Sequence, residues 1–262
     1  MAADSFQKTW REAPGRLLLE DGEVHVWRAC LNQTPSTTDA LRQTLAPEER
    51  ERAGKFYFDE DREHFVVARG VLREILGRYI SVAPERITFS YNEFGKPCLG
   101  DGASGNHLRF NVSHSREVAL YAFTRGREVG LDVEFVRADF ATTEIAERFF
   151  SRAEVEMLAA LPPEQRTNGF FNCWTRKEAY IKALGEGLSH PLSTFAVSLV
   201  PGEPAALLST GGGPEETARW TLTELFPGPD YAGALAVEGR AASLTCWQWS
   251  DESRGPKPKV NF

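Results

Sequence analysis

Basic residues are in the minority in this chain. Its 30 Lys and Arg face 37 Asp and Glu, a formal net charge of −7, whereas a nucleic-acid binder carries a basic excess. Long apolar runs are missing as well. Near the N-terminus the longest is Leu17-Leu18-Leu19, ended at once by Glu20 and Asp21, so no secretory leader is expected. No segment approaches the roughly 20 apolar residues that span a bilayer, and no membrane role is expected. Cysteine is scarce: Cys30, Cys98, Cys173 and Cys246 form no CxxC pair, which argues against a zinc site or a compact disulfide framework. Free thiols fit a reducing compartment, by default the cytoplasm. Gly211-Gly212-Gly213 lacks the strand and the Lys-Ser/Thr context of a phosphate cradle and reads as a turn.

What the chain does have is core-forming material, 42% hydrophobic residues and six Trp among 262 residues, enough for one large or two small domains. Strand patterns are expected at 23–28, 108–112, 118–123, 129–136, 195–199, 220–225, 232–237 and 243–249. Helical patterns fall at 63–79, 141–149, 152–160 and 167–184. This order predicts an α+β fold with antiparallel sheets, divided into a first half over 1–126, a second over 127–254 and a tail over 255–262.

The chemistry is concentrated in two segments. Trp174-Thr-Arg-Lys-Glu-Ala-Tyr-Ile-Lys182 lies in the 167–184 helix, whose Phe170, Trp174, Ile181 and Leu184 recur at three- and four-residue intervals. Glu178 and Lys182 then sit one turn apart at the edge of an apolar stripe, able to act on one ligand or to form an ordinary surface pair. In Val129-Gly-Leu-Asp-Val-Glu-Phe135 the apolar residues alternate toward a core, leaving Asp132 and Glu134 together on the other face. Carboxylates at i and i+2 repel unless they are well solvated or share a cation. Mg²⁺ suits such oxygen ligands and usually retains waters and substrate phosphates; alternating acids for solubility are the competing explanation. Ser113-His114 does not read as a nucleophile and its base, because adjacent strand residues point to opposite faces and no GxSxG elbow surrounds the serine.

Phe110-Asn-Val-Ser-His-Ser115, Val129 to Glu134, Phe149-Phe-Ser151 with Glu154, and Trp174 to Lys182 followed by Gly185-Glu-Gly-Leu188 occur in this order. Upstream stand Ala46 to Arg52, Phe56-Tyr57 and Gly95-Lys96-Pro97. Over about residues 45 to 200 the chain resembles the 4′-phosphopantetheinyl transferases of the surfactin-synthetase-activating type. The resemblance implies two similar halves in a pseudo-twofold arrangement within a monomer, with coenzyme A in the cleft between them. It implies transfer of the 4′-phosphopantetheine arm of coenzyme A to a serine of an acyl or peptidyl carrier protein, releasing adenosine 3′,5′-bisphosphate.

On that resemblance Asp132, Glu134 and Glu178 hold Mg²⁺, and Ser113 and His114 bind phosphate oxygens. Lys96 and Lys177 stand beside the phosphates, Arg52 and Arg69 approach the 3′-phosphate, and Glu154 lies near the site. The general base is Glu178 or a metal-bound water; Lys182 stabilises or protonates the leaving oxygen, or is itself the base. Glu49 departs from the pattern, standing where a lysine contact is often seen. Glu154 after Ser151 also reads as a capping box. Carrier docking is expected over Leu184 to Leu192, including Gly185, Gly187 and Leu188. Other readings of the same residues are a Mg²⁺-dependent phosphohydrolase and a non-catalytic module binding coenzyme A or a carrier.

Overall fold

The computed structural model describes residues 10–100, 107–187 and 190–251; the tail over 255–262 and Leu188 lie outside them. In chain order the first half contains β1 (Arg11–Glu12), β2 (Glu23–Cys30), α1 (Pro35–Thr44), α2 (Pro47–Gly54), α3 (Asp59–Ile80), β3 (Phe89–Tyr91), β4 (Pro97–Leu99), β5 (Leu108–Ser115) and β6 (Val118–Arg125). After a short connection come β7 (Val129–Phe135), α4 (Thr143–Phe149), α5 (Arg152–Ala160), α6 (Pro163–Leu184), β8 (Ala196–Val197), β9 (Leu207–Ser209), α7 (Gly213–Ala218), β10 (Trp220–Leu225), β11 (Tyr231–Glu238) and β12 (Ser243–Gln248). No helix among the described residues is long and apolar enough to cross a membrane.

The long helices form where sequence chemistry favours both ends. Asp59, Glu60 and Asp61 open α3 against the positive end of its dipole, Arg78 lies in its last turn, and Ser81 ends it in the left-handed region. Pro163 starts α6, where its missing N–H costs nothing, and Gly185 ends it at φ 76°.

Two main sheets result, a five-stranded one ordered β1-β12-β2-β6-β5 and a three-stranded one ordered β10-β11-β7, beside the two-stranded pairs β3-β4 and β8-β9. The expected antiparallel pairing holds for β2 with β6, β6 with β5, and both pairs of the smaller sheet. The exception is β12, counted by sequence with the second half. It joins the larger sheet parallel to β2, with Cys246 opposite Val26 and β1 on its other side. Its own residues explain why it fits there, since Cys246 enters the layer between the sheets and Trp247 packs on the layer beneath α3.

Strand alternation sorts the side chains into three apolar layers. Val24, Val26, Leu120 and Ala122 meet Val129, Leu131, Val133, Leu235 and Val237 between the sheets. Trp27, Tyr121 and Phe123 point the other way, onto Val67, Val71 and Ile75 of α3. Ala234 and Ala236 face Phe170, Phe171, Tyr180 and Ile181 of α6. Each main sheet is thus backed by one 22-residue helix, and the two sheets face each other across the first of these layers.

Candidate active site

The edge strand of one sheet, β5, runs beside the edge strand of the other, β7. They are not paired through their backbones; polar side chains of β5 bridge the gap instead. Asn111 Oδ1 accepts from the Leu131 amide at 3.0 Å, Ser113 Oγ donates to Asp132 Oδ1 at 2.8 Å, and Ser115 Oγ donates to Glu134 Oε2 at 3.0 Å while accepting from the Phe135 amide at 3.1 Å. Asn111 and Ser115 therefore fix β7, a role that sequence reasoning missed. Their signal was present as polar residues at i, i+2 and i+4 on a strand, all turned to one face.

On β7 the apolar residues enter the inter-sheet layer, which turns Gly130, Asp132 and Glu134 toward α6. The helix lies directly on the strand: a Cβ on Gly130 would fall 2.2 Å from both the Ala179 carbonyl oxygen and the Ala183 amide nitrogen. Glu178 and Lys182, one residue before each of those contacts, are consequently held beside the strand carboxylates. Gly130→Ala is expected to cost about 1–3 kcal/mol through overpacking and to slow turnover on the order of tenfold or more by displacing α6. Thermal denaturation combined with turnover measurement checks this, and an unchanged rate would refute it.

Lys182 Nζ lies 2.6 Å from Asp132 Oδ1 and 2.9 Å from Ser113 Oγ. Asp132 is 2% exposed, and its other oxygen, Oδ2, is buried without a hydrogen-bond partner. Burial, reinforced by the Asp132 and Glu134 charges and opposed by Lys182, pushes the Glu178 carboxyl up to about 7. Glu134 is raised too, by burial and then by Asp132, against Ser115, Lys182 and Arg137. The charges of Asp132, Glu134 and Lys182 thus all act on Glu178.

Among the described residues no three His, Cys, Asp or Glu side chains converge closely enough to hold a metal ion as they stand. The donor set nevertheless fits a hard cation, because a buried carboxylate oxygen lacks a partner and two neighbouring carboxyls are raised by burial and by the negative charge around them.

Ser113 and His114 lie on opposite faces of β5, as alternation requires. The His114 imidazole is held below the usual histidine value by desolvation and by the charges of Lys182 and His64. Arg52 is exposed and stacks over Phe65, next in sequence to His64.

Other cations expected at the ligand prove to be engaged by the protein. Lys177 is fully buried, donates to the Leu192 and Phe195 carbonyls at 2.7 and 2.6 Å, and pairs with Glu154 at 2.8 Å. Glu154 closes the capping box at Ser151 and accepts from the Val197 amide. These two hold α5, α6 and the 192–197 segment together, and the Lys177 ammonium meets two carbonyls and a carboxylate of the protein. Arg69 pairs with Glu49 and donates to the Tyr91 hydroxyl at 2.8 Å, and Arg73 pairs with the same Glu49 at 2.7 Å. The acid that departs from the family pattern thus occupies Arg69. Lys96 is spent on Glu128 and two backbone carbonyls.

Residues 128–236 match the model of the 4′-phosphopantetheinyl transferase superfamily, and 27–125 match that of the N-terminal part of a 4′-phosphopantetheinyl transferase. The chain is 40% identical over 244 residues to the 4′-phosphopantetheinyl transferase HetI of Nostoc sp., spanning 93% of this chain and 100% of that protein. The chain belongs to the 4′-phosphopantetheinyl transferase superfamily. It is also 36% identical to the transferase Sfp of Bacillus subtilis over 59% of this chain and 66% of that protein. To the L-aminoadipate-semialdehyde dehydrogenase-phosphopantetheinyl transferase of Xenopus laevis it is 27% identical, over 82% and 76%. In this transferase the boundary between the two matched regions, 125 to 128, falls at the connection from β6 to β7, beside the strand that carries Asp132 and Glu134.

Proposed function

We propose that the cluster of Asp132, Glu134, Glu178, Lys182 and Ser113 is where this transferase moves the 4′-phosphopantetheine arm of coenzyme A onto a serine of an acyl or peptidyl carrier protein. The observation that carries this reading is the meeting of Ser113, Asp132 and Lys182 at the β5–β7 junction beside a buried Asp132 oxygen that lacks a hydrogen-bond partner, with Glu134 and Glu178 near enough to feel their charges. Asp132, Glu134 and Glu178 would hold Mg²⁺, which when bound supplies Lewis-acid withdrawal of charge from the phosphate oxygens.

The remaining steps fall to side chains of the chain itself. A carrier serine is a poor nucleophile until its proton is taken. Glu178, raised to about 7, is matched to accept that proton near neutrality. The serine Oγ–P bond forms, the P–O bond to the adenosine-side phosphate breaks, and adenosine 3′,5′-bisphosphate leaves. Lys182 spends two bonds on Ser113 and Asp132; of an ammonium's three donors one is left to meet the negative charge growing on the leaving oxygen. Ser113 fixes Asp132 and Lys182 relative to each other. Arg52 and His114, on the side toward α3, meet the phosphates away from the reacting centre. None of the four cysteines forms a disulfide, consistent with work in the reducing cytoplasm.

The test is incubation with coenzyme A, Mg²⁺ and a panel of apo carrier proteins, read by intact mass. A gain of one phosphopantetheine on a carrier, abolished by Asp132→Ala, is expected. Release of phosphate to water with no carrier modified would favour a phosphohydrolase instead.

A further inference from the structure

The hairpin formed by β3 and β4 belongs to the first half, yet its tip reaches across and closes the end of α6. Lys96 Nζ makes three bonds there: to Glu128 Oε2 at 3.0 Å, to the Val129 carbonyl at 3.3 Å and to the Ala183 carbonyl at 3.1 Å. Asn92 Nδ2 donates to the Gly185 carbonyl at 2.8 Å, while Asn92 Oδ1 accepts from the Phe94 and Lys96 amides and shapes the turn. The approach is close, for a Cβ on Gly185 would meet both Asn92 Nδ2 and Lys96 Cδ at 3.3 Å.

These contacts fall at a particular place. The last carbonyls of a helix lack partners within it and carry the negative end of its dipole, where an ammonium is the favoured cap. Ala183 follows Lys182 directly, and Val129 opens the strand that carries Asp132 and Glu134. One lysine thus ties together the ends of the two elements that bear the reacting groups.

We infer that Lys96, with Asn92, is a positioning residue: it sets the last turn of α6 against the start of β7, and thereby Lys182 against Asp132, instead of contacting the phosphates of the substrate. The inference rests on the transferase reading of the site only for its kinetic consequences. With the Lys96 ammonium spent on three protein acceptors, a phosphate could gain it only by breaking the strap.

The experiment compares Lys96→Met, Lys96→Arg and Asn92→Ala in the full chain. Hydrogen exchange of the peptide covering 181–187, whose Gly185 amide bonds to the Ile181 carbonyl, needs no turnover. Lys96→Met is expected to speed that exchange about tenfold or more, since losing a cap lowers the cost of local opening. With coenzyme A and an apo carrier, kcat is expected to fall about tenfold while the KM for coenzyme A stays within about threefold, the pattern of a group acting through the site's geometry. Lys96→Arg, which keeps the charge and the donors, is expected to recover most of the rate. Unchanged exchange at 181–187, or coenzyme A binding weakened about tenfold by calorimetry at unchanged kcat, would overturn the inference. Absence of transfer by the unmodified chain would count against the proposed function alone, leaving the exchange result to decide the role of Lys96.

Discussion

Glu154→Ala is expected to remove about 3–5 kcal/mol of folding stability, the usual cost of stranding one member of a buried ion pair. Glu154 and Lys177 are 1% and 0% exposed. The carboxylate serves three partners at once: the Ser151 amide, the Val197 amide and the Lys177 ammonium. Its loss leaves one buried and one partly buried donor unmet and a charge uncompensated in a layer that also contains Phe170, Phe171 and Phe195. The two carbonyls and the Phe195 ring around Lys177 soften but do not cancel that charge. Glu154→Leu combined with Lys177→Met is expected to be far less damaging than the single change, because a buried pair can be replaced by apolar groups of similar volume at little cost. Denaturant midpoints measured on both variants check this. If Glu154→Ala lost under about 1 kcal/mol, the pair would not be what fastens α5 to α6.

The strand and helix of the candidate site were legible in the sequence because both carry strong local periodicity. Alternation over Val129 to Phe135 placed Asp132 and Glu134 on one face, and the structure turns that face to α6. The helix is found over Pro163–Leu184, four residues longer at its start than the apolar spacing alone indicates, because Pro163 fixes the first turn. Pairing across long sequence distances was not legible: nothing in Ser243 to Gln248 names β2 as its partner.

The same limit explains the cations. A lysine or arginine in a motif shows that positive charge is wanted, but not whether a substrate or the protein's own carboxylate receives it. Lys96 meets Glu128, Lys177 meets Glu154, and Arg69 meets Glu49. Each acid comes from a segment at least 20 residues away, so no local pattern pairs them. Lys182 also meets an acid, Asp132, but there the carboxylate keeps a buried oxygen unpartnered. That open oxygen sets Asp132 apart from Glu128, Glu154 and Glu49, whose oxygens all have partners within the protein.

Glu178→Gln is expected to lower kcat on the order of 10²- to 10⁴-fold, the range set by removing a positioned base, with coenzyme A binding changed far less. The pH dependence follows from the environment that raises this carboxyl. Without a divalent cation it takes up a proton at about 7 in the folded chain, against 4.5 for an unperturbed glutamate. Between those values the folded state binds more protons than the unfolded one, so stability falls as pH rises from about 4.5 through 7. The thermal midpoint of the metal-free protein is therefore expected to drop across that window, and Glu178→Gln, which cannot ionise, is expected to flatten the drop. Mg²⁺ requires the ionised acids, so its stabilising shift should be larger at pH 8 than at pH 6 in the unmodified chain and reduced at both in the variant. In turnover the unmodified enzyme should gain rate with pH up to a plateau, and bound cation should move its midpoint below 7, because positive charge favours the carboxylate. A variant that kept both the wild-type rate and the wild-type slope of stability against pH would remove Glu178 from the site; one that lost rate while keeping the slope would leave it catalytic but place the buried proton on another acid.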